Sequence, residues 1–325
     1  MKIGIIGYGR FGKLWAEVCK PFADVLVYDK NIENGESLGD VLGSDVLFLL
    51  VPISEIENIC KEIADKLDEK TIVVDACSVK MYPVEVMKKV LKADQPIMAT
   101  HPLFGPDSVK RDGLVGQKIV VCPVQGTEDQ FQQCEEILTK LKLEIIHTIP
   151  EDHDRQMARS QALVHFFGRG LAELKLENQE ISTPDYYSLL RINELVVNDT
   201  WQLFFDMQRF NPFAKDVRLT LLHSLQALEK NIESDEDDIE HLRQDIVDID
   251  QKIIQLIGSR LSIVKQVGAI KQKSEKNIFD KAREDKLQKL YGEWSDICGI
   301  DKEMISNIFG LIIEEAKRLQ FEDVS

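Results

Sequence analysis

The run Gly7-Tyr8-Gly9-Arg10-Phe11-Gly12 decides how the first half of this chain folds. A short apolar stretch, residues 3–6, leads into it, and the residues after it read as helix through Lys20. A strand, a G-x-G-x-x-G turn and a helix start together make a dinucleotide-binding turn. The first glycine permits the tight turn, the second lets backbone approach a pyrophosphate, and the third allows close packing of helix on strand. The helix start adds free N–H groups and a partial positive charge. Gly7, Gly9, Arg10, Phe11 and Gly12 are therefore the expected cofactor-binding residues. A second strand, residues 25–28, ends in Asp29, about twenty residues on, where a carboxylate is placed to hold ribose hydroxyls. The same carboxylate repels a 2′-phosphate, so the expected cofactor is NAD rather than NADP, with Lys30 alongside as the opposing influence.

Outward from that turn, 325 residues leave room for two or three domains, and an apolar fraction of 44% supports sizeable cores. A net charge of −16 argues against nucleic acid or an anionic membrane surface as a partner. The apolar run at residues 3–6 is far too short for a signal peptide or a membrane span. The six cysteines show neither paired nor metal-ligand spacing, so reduced thiols, a cytoplasmic setting and no metal are expected.

In residues 1–150 short apolar strands (46–51, 71–75, 96–100, 118–122 and 144–149 after the first two) alternate with helical patterns such as 54–67, 83–91 and 127–141. Such alternation predicts an α/β Rossmann-type domain with a parallel sheet covered on both faces. Strand signals vanish over residues 151–232, which read as a helical substrate or dimerisation domain. An acidic run at 233–238 reads as a linker, and 239–325 reads as three helices: one to about Lys273, one from Asp280 and one from Asp301.

Ligands of an open α/β sheet bind at the carboxyl ends of its strands. Strand 71–75 runs into Ala76-Cys77-Ser78-Val79-Lys80, and strand 96–100 into His101-Pro102-Leu103-Phe104-Gly105-Pro106-Asp107-Ser108. Two strand ends thus bring a hydroxyl, an ammonium, an imidazole and a carboxylate to one rim. The order Asp-x-x-Ser-Val-Lys, His-Pro-x-Phe-Gly-Pro-Asp-Ser, then His153-Asp154…Met157-Ala158…Gln161-Ala162-Leu163…His165-Phe166 resembles the prephenate dehydrogenase family over residues 1 to about 215. The resemblance implies that His101 accepts the proton of the substrate's ring hydroxyl and that Ser78 helps hold that hydroxyl. It also implies that Lys80 and His165 line the substrate pocket, and it leaves His153 between a site role and a structural one. Close relatives carry a carboxylate-binding arginine about five residues before the acid that is Asp199 here. This chain has Glu194-Leu195 there, leaving Arg191, one turn earlier, or Arg169 to substitute.

Residues 239–325 carry a separate argument. At about 100° per residue, Leu242, Ile246, Ile249, Ile253, Leu256, Val264 and Val267 share one helical stripe about 80° wide, and Arg260 and Lys271 fall inside it. Cations on a core-facing stripe are costly unless an anion meets them. The pattern Leu242-Arg243…Asp250…Arg260…Val267-Gly268…Lys271…Asp280-x-x-Arg283-Glu284…Gln320 is similar to the all-helical chorismate mutase family, whose members form intertwined dimers. The resemblance implies an all-α domain in which Arg243 (reaching the partner's site), Arg260 and Arg283 bind the two carboxylates of chorismate. Lys271 and Gln320 would donate to the ether oxygen, Glu284 would bind the ring hydroxyl, and Asp280 would support the entrance.

The combined expectation is a bifunctional homodimer that rearranges chorismate to prephenate and then oxidatively decarboxylates prephenate with NAD. Two alternatives stand beside it: arogenate as the oxidised substrate, and a C-terminal segment that serves regulation or dimerisation without catalysis.

Overall fold

The computed structural model describes residues 1–32, 35–233, 239–273 and 281–322. They fall into two compact units, Met1–Ala227 and Leu228–Ser325.

The first unit is built on a seven-stranded sheet. Its strands are β1 (Lys2–Ile6), β2 (Asp24–Tyr28), β3 (Val46–Leu49), β4 (Ile72–Asp75), β5 (Ile97–Pro102), β6 (Lys118–Gln125) and β7 (Glu144–His147), in the order β2-β1-β3-β4-β5-β6-β7. β3 and β4 are buried at every position, as continuous apolar runs must be when helices cover both faces of a sheet. Trp15, Phe48, Val74, Ile3 and Ile5 fill one face, and Leu47, Leu49, Val73, Ile56 and Cys60 fill the other.

One expectation needs correcting: the sheet is mixed, because β6 runs antiparallel to β5. The intervening helix, α5 (Pro106–Asp112), stays at the carboxyl rim and packs against α1 (Arg10–Cys19). With no helix returning along the sheet face, the chain comes back beside β5. All other pairings are parallel. Because the chain moves from β1 outward to β2 and then back across to β3, the topological switch lies between β1 and β3. That is where a crevice for a ligand opens.

The helical segment does not stand apart from the sheet domain. Asp206, on α10 (Trp201–Phe210), accepts hydrogen bonds from the Ser54 amide at 3.1 Å and hydroxyl at 2.9 Å. The Tyr82 ring lies 4.3 Å from that of Phe210. The seam between the units falls instead inside α11 (Ala214–Glu233), upstream of the acidic run, whose residues 234–238 lie outside the described residues.

The second unit contains α12 (Ile239–Lys273), α13 (Lys281–Cys298) and α14 (Lys302–Glu322). Asp301 caps α14 by accepting the Met304 amide at 2.8 Å. Tyr291 stacks on Phe309 at 4.1 Å, joining α13 to α14. The stripe of α12 read as core-facing is largely exposed in the single chain, from 41% at Val267 to 69% at Leu256, with Val264 half-buried. Among the described residues no helix is long and apolar enough to cross a membrane, and no cluster of three metal-ligating side chains occurs. All six cysteines are free and five are buried, and burial pushes the thiols of Cys19, Cys60, Cys122 and Cys134 up to about 12.

Candidate active site

The glycine turn follows β1 at the switch point. Gly7 has φ +103°, and a Cβ there would stand 2.3 Å from the Leu50 carbonyl oxygen after β3. A Cβ on Gly12 would come 2.1 Å from the Gly7 carbonyl oxygen, so its absence lets α1 seat on the turn. Gly9 faces open space, with nothing within 4 Å, and it begins α1 without a side-chain cap. Uncapped helix amides behind an open cradle suit a phosphate group, and these residues fit a dinucleotide. Asp29 accepts the Tyr8 amide at 2.7 Å and the Asn31 amide at 2.8 Å, pinning the turn to the end of β2. Burial acts to raise its carboxyl, but the two amides and Lys30 outweigh it and hold the group below its ordinary value. Arg10 pairs with Asp107 of α5 at 2.6 Å, both side chains being more than half exposed.

The ends of β4 and β5 carry the second cluster. Lys80, expected to line the pocket, is fully buried instead: its ammonium donates to Asp75 and to the Thr100 carbonyl. Asp75 also accepts the Cys77 amide at 2.9 Å, and its Oδ1 is buried without a hydrogen-bond partner among the described residues. His101, 2% exposed, places Nδ1 at 2.9 Å from Nε2 of His153, which is equally buried. His153 Nδ1 in turn lies 2.8 Å from Asp154 Oδ1. Asp154 accepts the amides of Lys80 at 2.7 Å and Met81 at 2.9 Å, and its carbonyl accepts from Asn211 at 2.8 Å. Burial drives His101 well below the ordinary histidine value, and the nearby His153 and Lys80 push it the same way. Burial also lowers His153, partly offset by its hydrogen bond to Asp154. Ser78 is half-buried and makes no hydrogen bond among the described residues.

A third cluster lies on α8 (Gln161–Glu173), where His165 and Arg169 stand one turn apart. His165 Nε2 is 3.6 Å from Asp199 Oδ2, while its Nδ1 is buried and unpartnered among the described residues. Burial lowers His165, against the pull of Asp199. Arg169 donates to the Asp199 carbonyl and lies 4.3 Å over the Trp201 ring, with its Nε buried and unpartnered among the described residues. The Arg10 guanidinium of the nucleotide turn is raised chiefly by its hydrogen bond to Asp107, with a smaller contribution from the Asp199 charge. Arg191 and Glu194, on α9 (Pro184–Val197), are exposed, and Arg191 acts on Asp112. Of the two candidate carboxylate binders, Arg169 is therefore the one grouped with His165. The partners that sequence reasoning passed over are Asp75, Asp154 and the contact of His153 with His101. Their only signal was the acid five residues before Lys80, Asp75, and the adjacency His153-Asp154.

In the second unit, Arg260 is half-buried, and its Nη1 is buried without a hydrogen-bond partner among the described residues. Glu284 pairs with Lys317 of α14 at 2.8 Å, and Arg243 and Arg283 are exposed. Lys271 and Gln320 belong to α12 and α14, but their side chains lie outside the described residues, as does all of Asp280.

Three family models match the chain: "Prephenate dehydrogenase, nucleotide-binding domain" over residues 26–147, "Chorismate mutase type II" over 242–321 and "TYRAAT1-like, C-terminal domain" over 170–245. Arogenate dehydrogenase 1, chloroplastic, of Arabidopsis thaliana is 30% identical over 252 residues, 71% of this chain and 39% of its own length. A probable arogenate/prephenate dehydrogenase of Methanocaldococcus jannaschii is 26% identical over 96% of this chain and 72% of its own. The chain thus spans well under half of the plant relative. Among solved structures, prephenate dehydrogenase from A. aeolicus, in complex with hydroxyphenyl propionate and NAD+, superposes with a TM-score of 0.59. It is 18% identical over 79% of this chain and 98% of that one, a likeness of fold.

Proposed function

We propose, for a chain whose residues 26–147 belong to the prephenate dehydrogenase nucleotide-binding family and whose residues 242–321 belong to the chorismate mutase type II family, that it converts chorismate to prephenate and oxidises prephenate to 4-hydroxyphenylpyruvate. The observation that carries the dehydrogenase reading is a buried imidazole, His101, at the end of β5 in the same unit as an open dinucleotide cradle. NAD, when bound, supplies the hydride acceptor. Asp29 favours it over NADP, since its charge would repel a 2′-phosphate. His101 takes the proton of the ring hydroxyl as carbonyl character develops, and burial keeps it neutral, so that a ring nitrogen lone pair is free for that step. Ser78, whose hydroxyl is uncommitted, orients the same oxygen. Arg169, its guanidinium over the Trp201 ring, binds a substrate carboxylate beside His165. Loss of CO2 then aromatises the ring and makes the reaction one-way.

For the rearrangement no acid, base or nucleophile is required. Catalysis consists of holding the compact conformer and stabilising charge on the breaking ether oxygen. Arg260 is the anchor, since a half-buried guanidinium with a nitrogen unpaired among the described residues is suited to an anion. Arg243, Arg283, Lys271, Gln320, Glu284 and Asp280 complete the set by the family pattern. The exposed stripe of α12 supports a homodimer, and buried free thiols support a reducing, cytoplasmic setting.

The test is one coupled assay: chorismate with NAD or NADP, following nucleotide reduction and product identity, with prephenate and arogenate then supplied directly. NADH formation from chorismate and from prephenate, with 4-hydroxyphenylpyruvate as product, is the expected result. Turnover of arogenate alone would replace the substrate, and equal kcat/KM for both nucleotides would remove Asp29 as the selector.

A further inference from the structure

Resting on the reading of His101 as the base, we propose that His153, backed by Asp154, is a positioning residue that fixes which ring nitrogen of His101 is free to take the substrate's proton. The argument is one of donors and acceptors along a buried chain. Asp154 accepts two backbone amides, from Lys80 and Met81, which commits its carboxylate to an acceptor-only role. His153 Nδ1, 2.8 Å from that carboxylate, must then be the N–H of its ring. A neutral imidazole with the proton on Nδ1 presents Nε2 as an acceptor. That Nε2 lies 2.9 Å from His101 Nδ1, which must therefore donate. The proton of neutral His101 is thus held on Nδ1, and Nε2 carries the free lone pair.

The alternative arrangement is inert. A proton on both nitrogens of His153 would make Nε2 a donor, so His101 would have to accept at Nδ1 and carry its own proton on Nε2. Its outward nitrogen would then be blocked. The relay also serves the next moment of the reaction: once the hydroxyl proton has moved to Nε2, the resulting imidazolium keeps its Nδ1–H on His153, with the Asp154 charge behind it. His153 touches neither substrate nor cofactor in this scheme and acts only through His101. The anchor of Asp154 to Lys80, Met81 and Asn211 holds the far end of the relay fixed between the loop after β4 and the α10–α11 turn.

The experiment uses the full chain and two variants. His153→Leu removes the acceptor, while His153→Gln keeps one, because its amide oxygen can still receive the His101 Nδ1–H. Ring 15N NMR of the histidines reads the His101 tautomer without any substrate, and steady-state kinetics reads kcat and KM. Expected are the Nδ1–H tautomer in the native chain and its loss in His153→Leu. With that loss kcat should fall about 10- to 100-fold, the range known for partners that orient a metal-bound imidazole, at little changed KM for NAD. His153→Gln should recover the tautomer and much of kcat. Should His153→Leu fail to fold, His153→Gln decides: an Nε2–H His101 at full kcat overturns the proposal. So does a folded His153→Leu with unchanged tautomer and kcat. A native Nδ1–H tautomer together with an active His101→Ala enzyme would instead remove His101 as the base and leave the relay as structure alone.

Discussion

Removing one member of the buried Lys80–Asp75 pair leaves the other as an uncompensated charge in a dry interior. Lys80→Met should therefore destabilise the chain by about 3–5 kcal/mol in denaturant unfolding, whereas Lys80→Met with Asp75→Leu should recover most of that loss. A double variant as unstable as the single one would show that the pair is not the cause. The buried histidines set a pH dependence. His101, His153 and His165 all have folded values below the ordinary one, chiefly by burial. The unfolded chain therefore binds more protons below about pH 6.5, and stability falls as pH drops from there towards the folded values. Each histidine contributes at most about 1.4 kcal/mol per pH unit across that window. A denaturant midpoint unchanged between pH 7.5 and 5.5 would contradict it. Sequence reading placed His101 and Lys80 together because both follow strand ends. It put Lys80 in the pocket because spacing along a loop does not reveal whether a side chain turns to the rim or the core. Only the acid five residues earlier, Asp75, hinted at an internal partner.

At the scale of elements, the turn from β1 into α1 separates folding from binding. Gly12 and Gly7 approach backbone and resist any side chain, but Gly9 faces a space open at this position. Gly9→Ala should thus melt within about 4 °C of the native chain, because Gly and Ala caps differ by only about 1 kcal/mol or less. Its affinity for NADH, read by fluorescence titration, should nevertheless drop by tenfold or more, about 1.4 kcal/mol. Gly12→Ala should lose stability first. Tight NADH binding by Gly9→Ala would move the phosphate away from this cradle. These elements were legible: the apolar runs are the seven strands, and the periodic stretches are helices. The direction of β6 was not, since alternation of strands and helices says nothing about a helix as short as α5, which stays at the rim. A seven-residue helix opened by Gly105 and Pro106 leaves too little periodicity to read.

On the whole-molecule scale the charge run marked the neighbourhood of the division into two units but not its position, and the end of strand signals near residue 150 falls inside the first unit. The seam lies within α11, where an unbroken helical pattern hides it. In the second unit, the sharing of sites between subunits is open to a mixing test. Heterodimers of Arg243→Ala and Arg260→Ala protomers, formed by proven exchange, should regain up to about half of the native mutase activity, or about a quarter for a randomly exchanged equal mixture, because one of two symmetric sites then holds both arginines. No recovery would place both in a site made by one chain. The bare apolar stripe of α12 has a further consequence. If a second copy covers it, folding and association are one equilibrium, and mass action enters every stability value measured for this unit. Its melting temperature should climb with the logarithm of protein concentration, and mutase turnover per chain should fade on dilution. For such a unit, a stability quoted without a concentration has no defined meaning.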